Sequence, residues 1–204
     1  MTRRILFISK GDDSASTRYR ALQFFPLLRQ AGYAADHATA AGSPASYLDA
    51  LRLAATADIV VVLRKTFPRP LLWLLRRASR KLVFDFDDAI FCNTDGTPSP
   101  TRMGRFGAMA TACDHMFAGN RFLADNATRY NRAVTIVPTC IDTARYAGDH
   151  AKPDASFDLV WIGSRSTRKY LVESLPALRL ATARVPGAGR ADVYKRQCLR
   201  SVIF

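Results

Sequence analysis

Asp58-Ile59-Val60-Val61-Val62-Leu63, then Pro68-Arg69-Pro70-Leu71-Leu72-Trp73-Leu74-Leu75-Arg76-Arg77-Ala78-Ser79, then Lys81-Leu82-Val83-Phe84-Asp85-Phe86 reads as strand, helix and strand. The valine-rich run is a buried central strand, and the two prolines are tolerable only in the first turn of the helix between the strands. Two such strands joined through a helix form a parallel unit, and the same alternation extends in both directions. Upstream, Arg4 to Ser9 is a strand, Lys10 to Thr17 a polar loop, and Arg18 to Gln30 a helix stopped at Gly32. Tyr33 to His37 follows as a weak strand and Pro44 to Ala55 as a helix. Downstream, Thr101 to Ala112 is helix, His115 to Ala118 strand, Asn120 to Tyr130 helix and Val134 to Val137 strand.

The expectation is an α/β fold, a Rossmann-like parallel sheet flanked by helices, over residues 1–147. Residues 148–156 are polar, contain Pro153 and read as a linker. A second domain begins at 157–190: Phe157 to Ile162 is its first strand, and Gly163 to Ser166 turns into a helix passing Leu171. Residues 191–204 break the pattern. Asp192-Val193-Tyr194-Lys195-Arg196-Gln197 is what GAT GTG TAT AAG AGA CAG encodes, which resembles a transposase adapter used in sequencing libraries. The segment is therefore expected to be a non-native tail, set aside from fold reasoning.

Hydrophobic residues make up 49% and charged residues 23%, a balance that excludes a disordered chain. Thirty Lys and Arg against 17 Asp and Glu give a net charge of +13. Without residues 191–204, which hold three cations and one carboxylate, it is +11. Such a field attracts phosphates of any origin, so nucleic acid, anionic lipid and a nucleotide-sugar pyrophosphate all remain in view. Cys92, Cys113, Cys140 and Cys198 contain no C-x-x-C pair, which argues against a structural zinc or a redox dithiol and for free, mostly buried thiols. The first apolar run is too short for a signal peptide, and none nears the roughly 20 residues that span a bilayer. The expected location is cytoplasmic, with peripheral contact at the inner face of the membrane as an extension.

The chemistry-bearing stretches fall where strands end. Asp85, Asp87 and Asp88 close the strand from Lys81, with Asp85 and Asp87 on one side of it and Phe86 on the other. Neighbouring carboxylates repel and persist only beside cations, donors or solvent. They fit a Mg²⁺ or Mn²⁺ site, a phosphatase nucleophile, acceptors for sugar hydroxyls, or a plain cap of the following loop. The loop after the first strand has one glycine, Gly11, so neither dinucleotide nor P-loop fingerprints are present. Ser16 or Thr17 caps the helix there, and Arg18 and Arg20 either reach an anionic ligand or stay solvated. Asn120 is an N-cap after Gly119. The Pro68 to Lys81 segment surrounds Trp73 and four leucines with arginines, which suits packing on the sheet or lying on an anionic bilayer. In the second domain, Gly163, Ser164, Arg165 and Lys169 form a strand-end glycine, a hydroxyl and following cations, the elements of a phosphate cradle.

In this order, Ser16-Thr17-Arg18-Tyr19-Arg20, Phe84 to Phe91, Ala118 to Ala124, Val137 to Asp142 and Trp161 to Leu171 resemble the family-4 (group 1) glycosyltransferases of GT-B fold. The resemblance implies two facing Rossmann-like domains, with 1–147 on the acceptor side and 157–190 the start of a donor side. It implies retention of anomeric configuration, no tightly bound metal or cofactor, and a nucleotide-sugar as co-substrate. Asp85, Asp87 and Asp88 then take the catalytic edge, and Gly11, Arg18, Arg20 and Asn120 the acceptor. Gly163, Ser164, Arg165 and Lys169 take the donor. The expected partners are the nucleotide-sugar and a glycan or lipid-linked acceptor, with an anionic membrane in peripheral contact and no nucleic acid. Two departures stand out. The family's paired glutamates have no counterpart before the chain ends, so the chain as given is expected to be inactive. Its mid-domain histidine is also missing, since His37, His115 and His150 fall elsewhere. The competing readings are a basic nucleic-acid-binding module and a Mg-dependent phosphatase using Asp85 and Asp87.

Overall fold

Six strands run parallel in the order β2-β1-β3-β4-β5-β6 in the computed structural model, which describes residues 2–144, 158–162, 167–184, 190–194 and 200–202. They are β1 Arg3–Ser9, β2 Tyr33–Thr39, β3 Ile59–Leu63, β4 Lys81–Phe86, β5 His115–Ala118 and β6 Val134–Ile136. The connecting helices are α1 Ala15–Arg20, α2 Phe25–Gln30, α3 Pro44–Ala54, α4 Arg69–Ala78, α5 Pro100–Ala112 and α6 Arg121–Ala127. The chain separates into two compact units, Met1–Arg145 and Tyr146–Phe204.

Both faces of the first sheet are apolar because the strands alternate two sets of hydrophobic side chains. Leu6, Ile8, Val60, Val62, Leu82, Phe84, Phe86, Met116 and Ala118 pack with residues of α3, α4, α5 and α6. Ile5, Phe7, Val61, Leu63 and Val83 pack with Ala21 and with Phe25 and Leu28 of α2. Phe106 of α5 meets Phe86 and Phe91 edge-on, with centroids 5.2 and 5.0 Å away. Phe91 thereby ties the long loop after β4 into the core.

The expected helix over Arg18 to Gln30 is in fact two. Pro26 cannot donate a backbone hydrogen bond in a helix interior, so a short 3-10 turn at Leu22–Phe24 intervenes and the proline falls in the first turn of α2. Gly32, at φ +83, then releases the chain into β2, which runs two residues further than expected. Ser43 and Ser99 cap α3 and α5 by accepting from Ser46 and Arg102 backbone amides.

In the second unit, β7 Asp158–Ile162 pairs in parallel with β8 Arg190–Tyr194, joined through α7 Arg168–Arg184, and β9 Arg200–Val202 runs antiparallel to β8. The sequence reading has no strands at β8 or β9.

Candidate functional site at the carboxyl edge of the sheet

Because all six strands are parallel, Ser9, Leu63, Phe86, Ala118 and Ile136 end on one edge. The strand order reverses at β1, whose neighbours are β2 and β3. The loops after β1 and β3 therefore leave in opposite directions and open a crevice, the place where open α/β sheets take ligands. Gly11, Arg64, Asp87, Asp88 and Asn120 all lie in the loops at this edge. Three hydrogen-bonded groups organise it.

The first sits under the loop after β1. Ser9 Oγ accepts from the Gly11 amide at 3.0 Å and from Thr17 Oγ1 at 2.8 Å. Its own proton then has one strong acceptor, His37 Nε2, at 2.8 Å. His37 Nδ1 lies 2.7 Å from Asp12 Oδ1, so the hydroxyl count assigns a neutral ring with its proton on Nδ1. Burial lowers the His37 pKa below its ordinary value, and the charge of Asp12 opposes this without reversing it. Ser9 and Thr17 are buried, so the group shapes the loop instead of offering a nucleophile. Gly11 in this loop has φ +137, a backbone that side-chain-bearing residues rarely adopt.

The second is the Arg20–Asp85 pair. Arg20 is 6% exposed and Asp85 4%. Arg20 donates through both Nε and Nη2 to the two carboxylate oxygens, the latter at 2.8 Å. It also donates at 3.0 Å each to Thr139 Oγ1 and Val137 O, beyond β6. Burial pulls the Arg20 pKa down, but the hydrogen bonds and charge of Asp85 outweigh it and the net direction is up. Burial pushes the Asp85 carboxyl up, against Arg20. This guanidinium is neither solvated nor aimed at the crevice. It is committed to holding β4 and the segment after β6 together.

The third is Arg64 with Asp87 and Asp88. Arg64 follows β3 directly and adopts φ +50, the one non-glycine with positive φ among the described residues. Its amide donates to Asp85 O at 2.8 Å, its Nε lies 3.1 Å from Asp87 Oδ1, and its Nη2 bonds Asp88 Oδ2. The cation that lets these carboxylates coexist is thus a side chain. Asp87 Oδ1 is nevertheless shielded from solvent and has no partner in hydrogen-bond geometry. The Asp87 backbone is held in place by close approach of β5: a Cβ on Gly119 would come within 2.8 Å of Asp87 Cα. Gly119 N also donates to Phe86 O at 2.9 Å. Immediately after it, Asn120 Oδ1 accepts from Leu123 N at 3.0 Å and caps α6.

The structure therefore gathers Gly11, Arg20, Asp85, Asp87, Asp88 and Asn120 at one edge. Arg18 is exposed on α1, beside the Tyr19 ring. Gly163, Ser164 and Arg165 lie outside the described residues. Lys169 is exposed on α7 in the second unit, its ammonium 4.8 Å from the Tyr170 ring centroid. Sequence reasoning missed Arg64 and His37. A cation directly after the central strand is the signal for Arg64, whereas His37 carries none until β1 and β2 are known to be neighbours. Of the cysteines, Cys113 is buried, which pushes its thiol up to about 12, Cys92 is half-buried and Cys140 is exposed. Among the described residues no three His, Cys, Asp or Glu side chains converge as a metal site, and no helix is long and apolar enough to cross a membrane.

No family model matches the chain, and no curated protein matches it either. Among solved structures, Anabaena Alr3699/HepE in complex with UDP and glucose is similar at 14% identity and TM-score 0.46, over 85% of this chain and 50% of that one. Anabaena Alr3699/HepE in complex with UDP-glucose is similar at 12% identity and TM-score 0.46, over 93% of this chain and 59% of that one. The chain thus spans little more than half the length of the structures it resembles, and a similarity of this size carries no information on ligand or reaction.

Proposed function

We propose that the first unit is the acceptor side of a sugar-transferring enzyme, and that its carboxyl edge holds sugar hydroxyls. The observation that carries this reading is the carboxylate pair Asp87 and Asp88, 20% and 60% exposed and held by Arg64 at the carboxyl edge of the parallel sheet, next to the switch point. A hydroxyl is the complement of such exposed carboxylate oxygens, since it brings a proton without bringing charge. Asp88 and the edge around Asn120 offer further polar contacts to the same sugar. Arg64 sets a positive charge beside both carboxylates. Asp85 acts one step removed, by fixing the end of β4 through Arg20. Arg18, exposed beside the loop of Gly11, is assigned to an anionic part of the acceptor.

On this reading the second unit takes the nucleotide-sugar. Gly163, Ser164, Arg165 and Lys169 are proposed to hold its pyrophosphate and to stabilise the leaving charge. The acceptor is a glycan or a lipid-linked glycan, and transfer proceeds with retention. The resemblance of the motif order to family-4 glycosyltransferases supports these finer assignments.

The test is sugar transfer from a panel of nucleotide-sugars by a longer gene product carrying this segment. Asp87→Asn should lower turnover about 10- to 100-fold, the value of one hydrogen bond to a charged group. Lys169→Ala should weaken nucleotide-sugar binding. Full activity in Asp87→Asn would remove the carboxylate edge from the mechanism.

A further inference from the structure

Of the ten residues in α4, Leu72 and Leu75 turn to the sheet and are buried. The opposite side does not look like the outside of an ordinary soluble helix. Trp73 is 59% exposed and Leu74 46%, in the middle of the helix. Arg69, Trp73 and Arg77 are four residues apart and form one stripe, with Pro70 and Leu74 forming the next. The Arg77 guanidinium lies over the Trp73 ring, 5.3 Å from its centroid. From Arg69 to Lys81 there are five cations and no carboxylate. Arg76, Arg80 and Lys81 are paired with Asp114 or Asp58 at the helix's C-terminal end. Among the described residues no carboxylate pairs with Arg69 or Arg77.

We infer that this face of α4 docks on an anionic lipid surface. Indole and leucine side chains gain by entering the boundary between headgroups and acyl chains, where one end of the indole is wet and the other apolar. Arginines on either side of them meet the headgroup phosphates. The two features are complementary to one partner only when they occur together. A nucleic acid would use the cations but would leave Leu74 against a polar backbone. A protein groove would take the apolar pair but would need its own acidic rim for the two arginines. The helix is too short to span a bilayer, so contact is along its side. This inference stands apart from sugar transfer: a chain with no transferase activity would dock equally well.

The test is flotation of the full chain with vesicles of phosphatidylcholine alone or with phosphatidylglycerol, at low and physiological salt. Binding to the phosphatidylglycerol vesicles alone is expected, weakening as salt rises. With Trp161→Phe as background, Trp73 is the sole tryptophan, and its emission should shift to the blue on binding. Each arginine near the surface is worth about fivefold in partition, so Arg69→Glu with Arg77→Glu should cost well over tenfold. Trp73→Ala with Leu74→Ser should abolish the salt-resistant part of binding. These positions are exposed, and unchanged far-ultraviolet circular dichroism verifies that the variants fold. Reversing Arg129 and Arg132, which follow α6 beside the β5–β6 edge, is expected to cost less than reversing the α4 pair. An equal loss from the two reversals would overturn the assignment to α4. Equal binding to neutral vesicles, or none to either kind, would overturn the lipid claim. Capture of duplex oligonucleotide at physiological salt without vesicle binding would overturn it in favour of nucleic acid.

Discussion

Arg20 and Asp85 lie 65 residues apart in the chain and meet through a two-pronged, nearly solvent-free pair. Such a pair adds little over a well-packed apolar substitute, but breaking it leaves one charge buried alone. Arg20→Met is therefore expected to lower unfolding free energy by about 3–5 kcal/mol, read from urea denaturation. Adding Asp85→Leu should recover most of that loss. A single variant within about 1 kcal/mol of the parent would show that the pair is not what holds β4 to the segment after β6. The sequence offers both residues as candidates for ligand contact, because an arginine after a loop and a carboxylate at a strand end look alike whether they face a ligand or each other. Only the adjacency of α1 and the end of β4 decides it. Arg64 is the opposite case. Its left-handed backbone and its position between two carboxylates follow from the exit of β3, and neither property belongs to the residue type.

At the level of elements, the alternation of strands and helices in the first unit is legible because buried parallel strands are short apolar runs and most helices here begin at Ser, Pro or Asn, with Gly32 stopping α2. The break between α1 and α2 follows from Pro26 and is also readable in hindsight. The loop after β1 is less so. Its shape depends on a hydrogen-bond chain through Ser9 and His37, on two strands that pair only in the folded sheet. That chain makes a pH prediction. Unfolded, His37 takes up a proton near its ordinary 6.5; folded, burial holds its pKa lower. Between those two values the unfolded state binds more protons, so stability rises with pH and this contribution is complete above about 6.5. Below that it is lost progressively until the folded value is passed. A second proton on the ring would face a Ser9 oxygen whose lone pairs are already taken by Gly11 and Thr17. Urea midpoints across this range should rise with pH in the parent chain and rise less in His37→Gln. Parallel slopes would mean that the ring stays charged in the folded state or is free of the network.

For the first unit as a whole, the parallel strands bring the segments after all six strands to one edge while the helices cover the two faces. The sheet itself was legible from periodicity, and so was the edge at which polar residues collect. The order β2-β1-β3 was not, because periodicity says which residues are buried and nothing about which strands are neighbours. The β3–β4 pairing, by contrast, is legible as one strand-helix-strand unit, and it is what puts Arg64 beside Asp87 and Asp88, the pair on which the functional reading rests. The second unit was less readable for a different reason. Its β8 alternates Ala191 and Val193 with Arg190 and Asp192 over too few residues to stand out, β9 has three residues, and both fall almost wholly in the segment set aside as a non-native tail.

The most direct test of the carboxylate edge is saturation-transfer NMR on this chain with a panel of neutral mono- and disaccharides, comparing the parent with Asp87→Asn. The account predicts transfer to at least one sugar, with affinity lowered about 10- to 100-fold by the substitution and little changed by Lys169→Ala. Sugar binding that is identical in Asp87→Asn and the parent, or no transfer to any sugar from the folded chain, would contradict it.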